Sequence, residues 1–174
     1  MTHYSGKDLG RSFRTVRKNT IEIAKDLPGD KYGFQVTSDT RSIAETLAHI
    51  AASPRWQHRL HGIDRKTFVS FDDFGGYVRE AGTFETTLKT KEDILKALET
   101  EGEAFAAWLE TLSDEVLAEQ VAFTPPLDNK TRFEMLLGVK EHEMHHRAQL
   151  MLVERILGIV PHLTRQRESR NQAR

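Results

Sequence analysis

The chain contains no cysteine, which removes disulfide bonds, thiolate metal ligands and a cysteine nucleophile together. Long apolar runs are missing too: no stretch reaches the roughly 18 continuous apolar residues of a membrane span. The opening Met1-Thr-His-Tyr-Ser-Gly-Lys-Asp8 lacks the apolar core of a secretory signal. A cytoplasmic location with no membrane partner is therefore the expectation. Neither sign of charge is in excess, with 25 Lys and Arg against 26 Asp and Glu. No basic stripe with interleaved aromatics is present, so nucleic acid is not an expected partner. Alternating apolar and polar residues are nearly absent, which leaves little material for sheets.

What is there is helical spacing. Leu9, Phe13, Val16, Thr20, Ile23 and Leu27 alternate steps of four and three and stop at Pro28-Gly29, the pattern of a bundle seam. Ser42-Ile-Ala-Glu45 has the form of a capping box and predicts a second helix through Leu47, His49 and Ile50. Pro54 either kinks that helix or, with Ser53 as N-cap, starts a new piece through Trp56 and Leu60. Residues 62–90 hold aromatics and glycines without a sustained period, so they read as a long crossover joining helices two and three. Helix three follows Thr90 with Leu95, Leu98, Gly102, Phe105, Leu109 and Leu112. Thr124-Pro-Pro-Leu-Asp-Asn129 then breaks the chain, and Thr131-Arg-Phe-Glu134 caps a fourth helix. The expectation is one all-α domain, a four-helix bundle over residues 1–164, with a polar, frayed tail over 165–174. At this length a domain buries roughly 70% of its unfolded surface unaided. A metal would then serve chemistry rather than folding.

Such a metal is suggested by Glu141-His-Glu-Met-His-His146 in the last helix. Histidines four apart lie roughly 40° apart around a helix and about 6 Å apart along it, so His142 and His146 can grip one ion from one face. Projected at about 100° per residue, His142 shares its face with Met135, Val139, Gln149, Val153 and Ile156, while Lys140, Arg147, Glu154 and Arg155 fall opposite. Two polar residues on adjacent turns of a buried stripe are poorly explained by packing. His49, mid-helix in the apolar Leu47-Ala-His-Ile50, is the best third ligand. His3, His58, His61 and His162 read as solvated. His145 is a proton carrier, an alternative ligand or a rim residue. Glu143 is a catalytic candidate for the proton or a solvated carboxylate. Glu45 is read as the cap of its helix in preference to a partner of His49.

His142-Glu-Met-His-His146 also matches the zincin pattern H-E-x-x-H, but the third downstream ligand and the substrate-aligning strand are missing. A di-iron bundle would need a second E-x-x-H. Taken together, Ser42-Ile-Ala-Glu-Thr-Leu-Ala-His49-Ile, His142-Glu-Met-His-His146-Arg-Ala-Gln149-Leu and Ile156-Leu-Gly-Ile-Val-Pro161 resemble the DinB-like superfamily, which includes the YfiT-like proteins. The resemblance covers nearly the whole chain. It implies a bundle of up-down-down-up order, often dimeric, whose metal is held by one histidine of helix two and two of helix four, here His49, His142 and His146. The family commonly reads Arg-Gly-Gln where this chain has Arg147-Ala148-Gln149.

Three neutral imidazoles would leave a divalent ion, Zn²⁺ or Ni²⁺, with open positions. The leading functional expectation is a hydrolase of a small-molecule substrate acting through metal-activated water, with Glu143 or His145 handling the proton. The resemblance adds a rival, metal-dependent transfer of a low-molecular-weight thiol. A non-catalytic, stress-induced metal-binding module is the third reading. The apolar Phe68, Phe71 and Phe74 could cover the end of the bundle or a partner, and a homodimer is open on that account.

Overall fold

The computed structural model describes residues 4–172. They form a mostly helical body: α1 (Gly6–Asp26), α2 (Ile43–His58), α3 (Phe71–Glu85), α4 (Lys91–Glu110), α5 (Asp114–Ala118), α6 (Arg132–Ile156) and α7 (His162–Gln172). Three short strands, β1 (Phe68–Val69), β2 (Gln120–Phe123) and β3 (Lys130–Thr131), make a small sheet. β1 runs parallel to β2, and β3 antiparallel to it.

Reciprocal side-chain caps set the start of every long helix. Ser5 with Asp8, Ser42 with Glu45, Ser70 with Asp73, Thr90 with Asp93 and Thr131 with Glu134 each form a capping box. In each, an acid also sits in the first turn, where the helix dipole favours it. α1 ends at Leu27, whose N–H still bonds to Ile23 O before Pro28 stops it. α2 neither breaks nor restarts at Pro54; it runs through and closes in a wider π-type turn over Arg59–Ile63. The missing N–H of Pro54 leaves Ile50 O without its helical donor. The guanidinium of Arg17 supplies one instead, at 3.1 Å.

α1 packs on α4 and α6, and α2 packs on α4 and α6. Gly6 and Gly10 let α1 approach α4 closely: a Cβ on Gly6 would stand 2.5 Å from Leu109 O. Arg14 reaches Glu103 and Glu110 across the same seam, and Arg55 pairs with Glu101 between α2 and α4. Ile23, Leu27, Leu47, Ile50, Leu98 and Leu150 fill one end of the core, and Leu9, Phe13, Phe105, Leu109 and Leu136 the other. A third cluster, Leu60, Val69, Tyr77 and Val121, seats the sheet.

Several expectations are corrected. The crossover of residues 62–90 contains β1 and the fifteen-residue helix α3. Residues 162–172 are helical rather than frayed: His162 is buried and bonds to Asn19 Oδ1 at 3.1 Å, and Arg165 pairs with Asp26 at 2.6 Å. His61, expected in solvent, is buried with its Nδ1 accepting from Arg132 at 2.9 Å. His58 lies half-buried against Trp108. His3 lies outside the described residues.

The buried face of α6 runs Leu136, Val139, Glu143, His146, Leu150, Glu154, its centre about 90° away from a stripe centred on His142. Glu154 is therefore inside, and Gln149 and Ile156 are outside. Charged residues at core positions mislead a projection that sorts by hydrophobicity, which explains the displaced centre. Among the described residues, no helix is long and apolar enough to cross a membrane.

Candidate metal centre

His49 on α2 and His142 and His146 on α6 come together where the two helices cross. Among the described residues they are the group fit to hold a metal ion, with ligand atoms all within 4.8 Å of one another. His142 Nε2 stands 3.1 Å from His49 Nε2 and 3.1 Å from His146 Nε2. The outer nitrogens are engaged elsewhere. His49 Nδ1 lies 2.8 Å from Glu85 Oε1, and His146 Nδ1 lies 2.9 Å from Gln149 Oε1. His142 Nδ1 faces Ser53 Oγ at 3.4 Å.

These partners decide the tautomers. A carboxylate and an amide oxygen can only accept, so His49 and His146 carry their protons on Nδ1 and turn Nε2 lone pairs inward. His142 can donate from Nε2 to one neighbour at most, which leaves at least one close nitrogen–nitrogen contact without a hydrogen bond. A cation in the gap removes that conflict, so the donor set fits a divalent ion. Burial, aided by the other histidines and Arg41, lowers the His142 pKa to about 4, and burial likewise lowers that of His146. Both rings are therefore neutral at pH 7, the form a metal needs.

Arg17 bonds to the residues that follow His49 and His142. Its guanidinium bonds to Glu143 at 2.9–3.1 Å, to Leu98 O at 2.9 Å and to Ile50 O at 3.1 Å, so α1 is tied to α6, α4 and α2 at one point. Gly102 makes the room; a Cβ there would stand 2.7 Å from the Arg17 side chain. Thr20 Oγ1 donates to Glu143 at 2.7 Å. Ile50 follows His49 and Glu143 follows His142 in sequence, so this tie fixes the backbone on both sides of the ligands.

The expected roles are redistributed accordingly. Glu143, read as a proton carrier or a solvated carboxylate, is 2% exposed and committed to Arg17 and Thr20. It is a structural anion. Glu45 serves its cap, as expected. His145 is exposed, and Gln149 Nε2 donates to its Nε2 at 3.2 Å. The carboxylate that reaches the site is Glu85, in the last turn of α3, which the sequence reading missed. Its signal was present: Ser70-Phe-Asp-Asp73 is a capping box with Asp at the third position, and a helix starting there carries Glu85 toward α2.

Two cavities lie along this part of the bundle, and one of them touches the centre. One of about 480 Å³ lies one to two turns along the α2–α6 groove, walled by Trp56, Phe74 and Met135. The other, of about 320 Å³, reaches His146 itself and has Arg41 at its side.

The model of the DinB superfamily matches residues 12–150, a span that includes all three histidines. Protein YjoA of Bacillus subtilis (strain 168), described as uncharacterized, is 27% identical over 150 residues, covering 84% of this chain and 86% of its own. A crystal structure described as that of a DinB-like protein, YjoA, from Bacillus subtilis shares the fold, with a TM-score of 0.64 at 22% identity over 86% of this chain and 91% of that one.

Proposed function

The chain belongs to the DinB superfamily, and from that premise we propose that it is a metal-dependent enzyme acting on a small molecule, with His49, His142 and His146 as ligands of Zn²⁺ or Ni²⁺. The observation that carries this reading is the inward convergence of three imidazole nitrogens whose outer nitrogens are spoken for. When bound, a divalent ion would supply Lewis acidity and draw water toward ionisation near neutral pH, which favours hydrolysis. Glu85 and Gln149 hold the His49 and His146 rings in the ligating tautomer and orientation. His145, exposed at the rim, carries the proton between the site and solvent. A purely structural ion would call for a fourth protein ligand, and the group has three.

Transfer of a low-molecular-weight thiol is the second reading. What favours it is a cationic side chain, Arg41, beside a cavity that reaches a ligand. Metal-dependent binding of a thiol, measured by calorimetry, separates transfer from hydrolysis.

The architecture belongs to the same proposal. Lys91 with Leu27 O and Arg14 with Glu110 support antiparallel α1 and α4. Arg55 with Glu101 and His58 with Trp108 support parallel α2 and α4. Tyr4 with Phe133 and Arg17 with Glu143 support parallel α1 and α6. Together these contacts favour an up-down-down-up bundle of α1, α2, α4 and α6.

The test is metal analysis of untagged protein. Wild type should carry close to one divalent ion per chain, and His49→Ala and His146→Ala should each carry almost none. Wild-type metal content in both variants would overturn the site. Loss of metal-dependent ester hydrolysis in the same variants is the expected accompaniment.

A further inference from the structure

The cavity that reaches His146 lies between the segment leading into α2 and the C-terminal half of α6. Phe34, Val36, Leu152 and Val153 form its wall. Val36 is 47% and Leu152 59% exposed, large apolar side chains left facing water. Its volume, about 320 Å³, is at the small end of the range that holds low-molecular-weight ligands.

Arg41 is the polar feature of this cavity that lacks an internal explanation. Arg14, Arg17, Arg55, Arg59, Arg65, Arg132 and Arg165 are each paired with a carboxylate. Among the described residues no carboxylate lies within ion-pair distance of Arg41; Glu45 feels its charge but is bonded into the Ser42 cap. The charge of Arg41 is also felt at His142 and His146, where it disfavours protonation. A guanidinium beside a site for a dication is unfavourable by simple Coulomb repulsion. An anion bound between the two would reverse the sign of that interaction.

The kind of anion follows from the donors on offer. The first N–H groups of α2 are taken: Ile43 N by Phe34 O, Ala44 N by Tyr32 O and Glu45 N by Ser42 Oγ. Recognition therefore falls to one planar guanidinium, which suits one carboxylate held by two parallel bonds and lacks the further donors a phosphate group would use.

We propose that this cavity binds the carboxylate of an amphipathic organic acid, with Arg41 holding the charged end near His146 and the apolar body lying on Phe34, Val36, Leu152 and Val153. This names a substrate class for the metal-dependent enzyme and rests on that reading for the chemistry. The recognition itself belongs to Arg41 and the wall, and needs no ion.

Octanoate and its neutral isostere octanamide serve as probes, titrated calorimetrically into chelator-treated and metal-reconstituted protein. Wild type should prefer octanoate by roughly tenfold, the usual scale of a charge-assisted pair. Arg41→Gln should remove the preference, Arg41→Lys should restore part of it, and Leu152→Asn should weaken both probes alike. Arg41 is exposed, so its variants should fold as wild type does, which circular dichroism checks. Equal binding of the two probes by wild type, a preference that survives Arg41→Gln, or no octanoate binding with or without metal would overturn the proposal. Arg41-dependent binding in chelated protein would sustain it even if the histidine variants refuted the metal site.

Discussion

Arg17 and Glu143 are a buried pair whose value lies in what each would cost alone. Removing one partner of such a pair strands a charge in a low-dielectric interior, at about 3–5 kcal/mol, whereas replacing both by apolar residues is often nearly neutral. Arg17→Met should therefore destabilise the protein to urea by about that amount, and Arg17→Met with Glu143→Leu should recover much of it, the remainder reflecting Thr20 and the freed carbonyls of Ile50 and Leu98. Glu85 makes a different kind of contribution. Glu85→Gln leaves a hydrogen-bond acceptor for His49 but removes the negative charge beside its Nδ1–H, so metal affinity should fall by about tenfold with little change in stability. Competition with a chromogenic chelator measures it. The His142 and His146 pair could be read in advance because four-residue spacing on a helix is a local property, and His49 because it sits mid-helix in the apolar Leu47-Ala-His-Ile50. Arg17, Glu85 and Glu143 could not, since each takes its meaning from partners 33 to 126 positions away in the chain.

At the scale of elements, α3 hangs on its cap. Ser70→Ala removes the hydroxyl that accepts from Asp73 N, at about 1 kcal/mol. Amide exchange over residues 71–85 should quicken while the global unfolding midpoint moves little, and metal affinity should drop because Glu85 is less firmly placed. The four long helices were legible from the alternating spacing of their seams and from two of their capping boxes. α3 was hidden because Phe71, Phe74 and Val78 stand in solvent while Gly75, Gly76 and Gly82 weaken its helical propensity. α7 was hidden because its sequence has no apolar face; it is held by His162 and by Arg165, which reaches Asp26 and Val160 O.

The whole molecule carries opposing proton linkages. Burial lowers the pKa of His61 to about 3 and that of His142 to about 4, and lowers those of His146 and His162 as well. Below about pH 6.5 the unfolded chain takes up protons that these rings refuse, so metal-free protein should lose stability steadily as pH falls toward 4. Glu154 works the other way. Among the described residues neither oxygen has a hydrogen-bond partner, and burial raises its pKa from 4.5 to about 7. The folded protein keeps that proton between those values while the unfolded chain gives it up, so this stability is present below pH 4.5 and lost as pH rises through 7. Glu154→Gln should accordingly exceed wild type by about 2 kcal/mol at pH 8, a margin that shrinks toward pH 5, as parallel urea titrations would register.

The hydrogen bond between Glu85 and His49 has a mechanical corollary. It joins the gap between three imidazoles to the last turn of a helix that leaves Phe71, Phe74 and Val78 about half exposed. The C-terminal turn of that helix is therefore anchored through the imidazole cluster, at the end opposite its Ser70 cap.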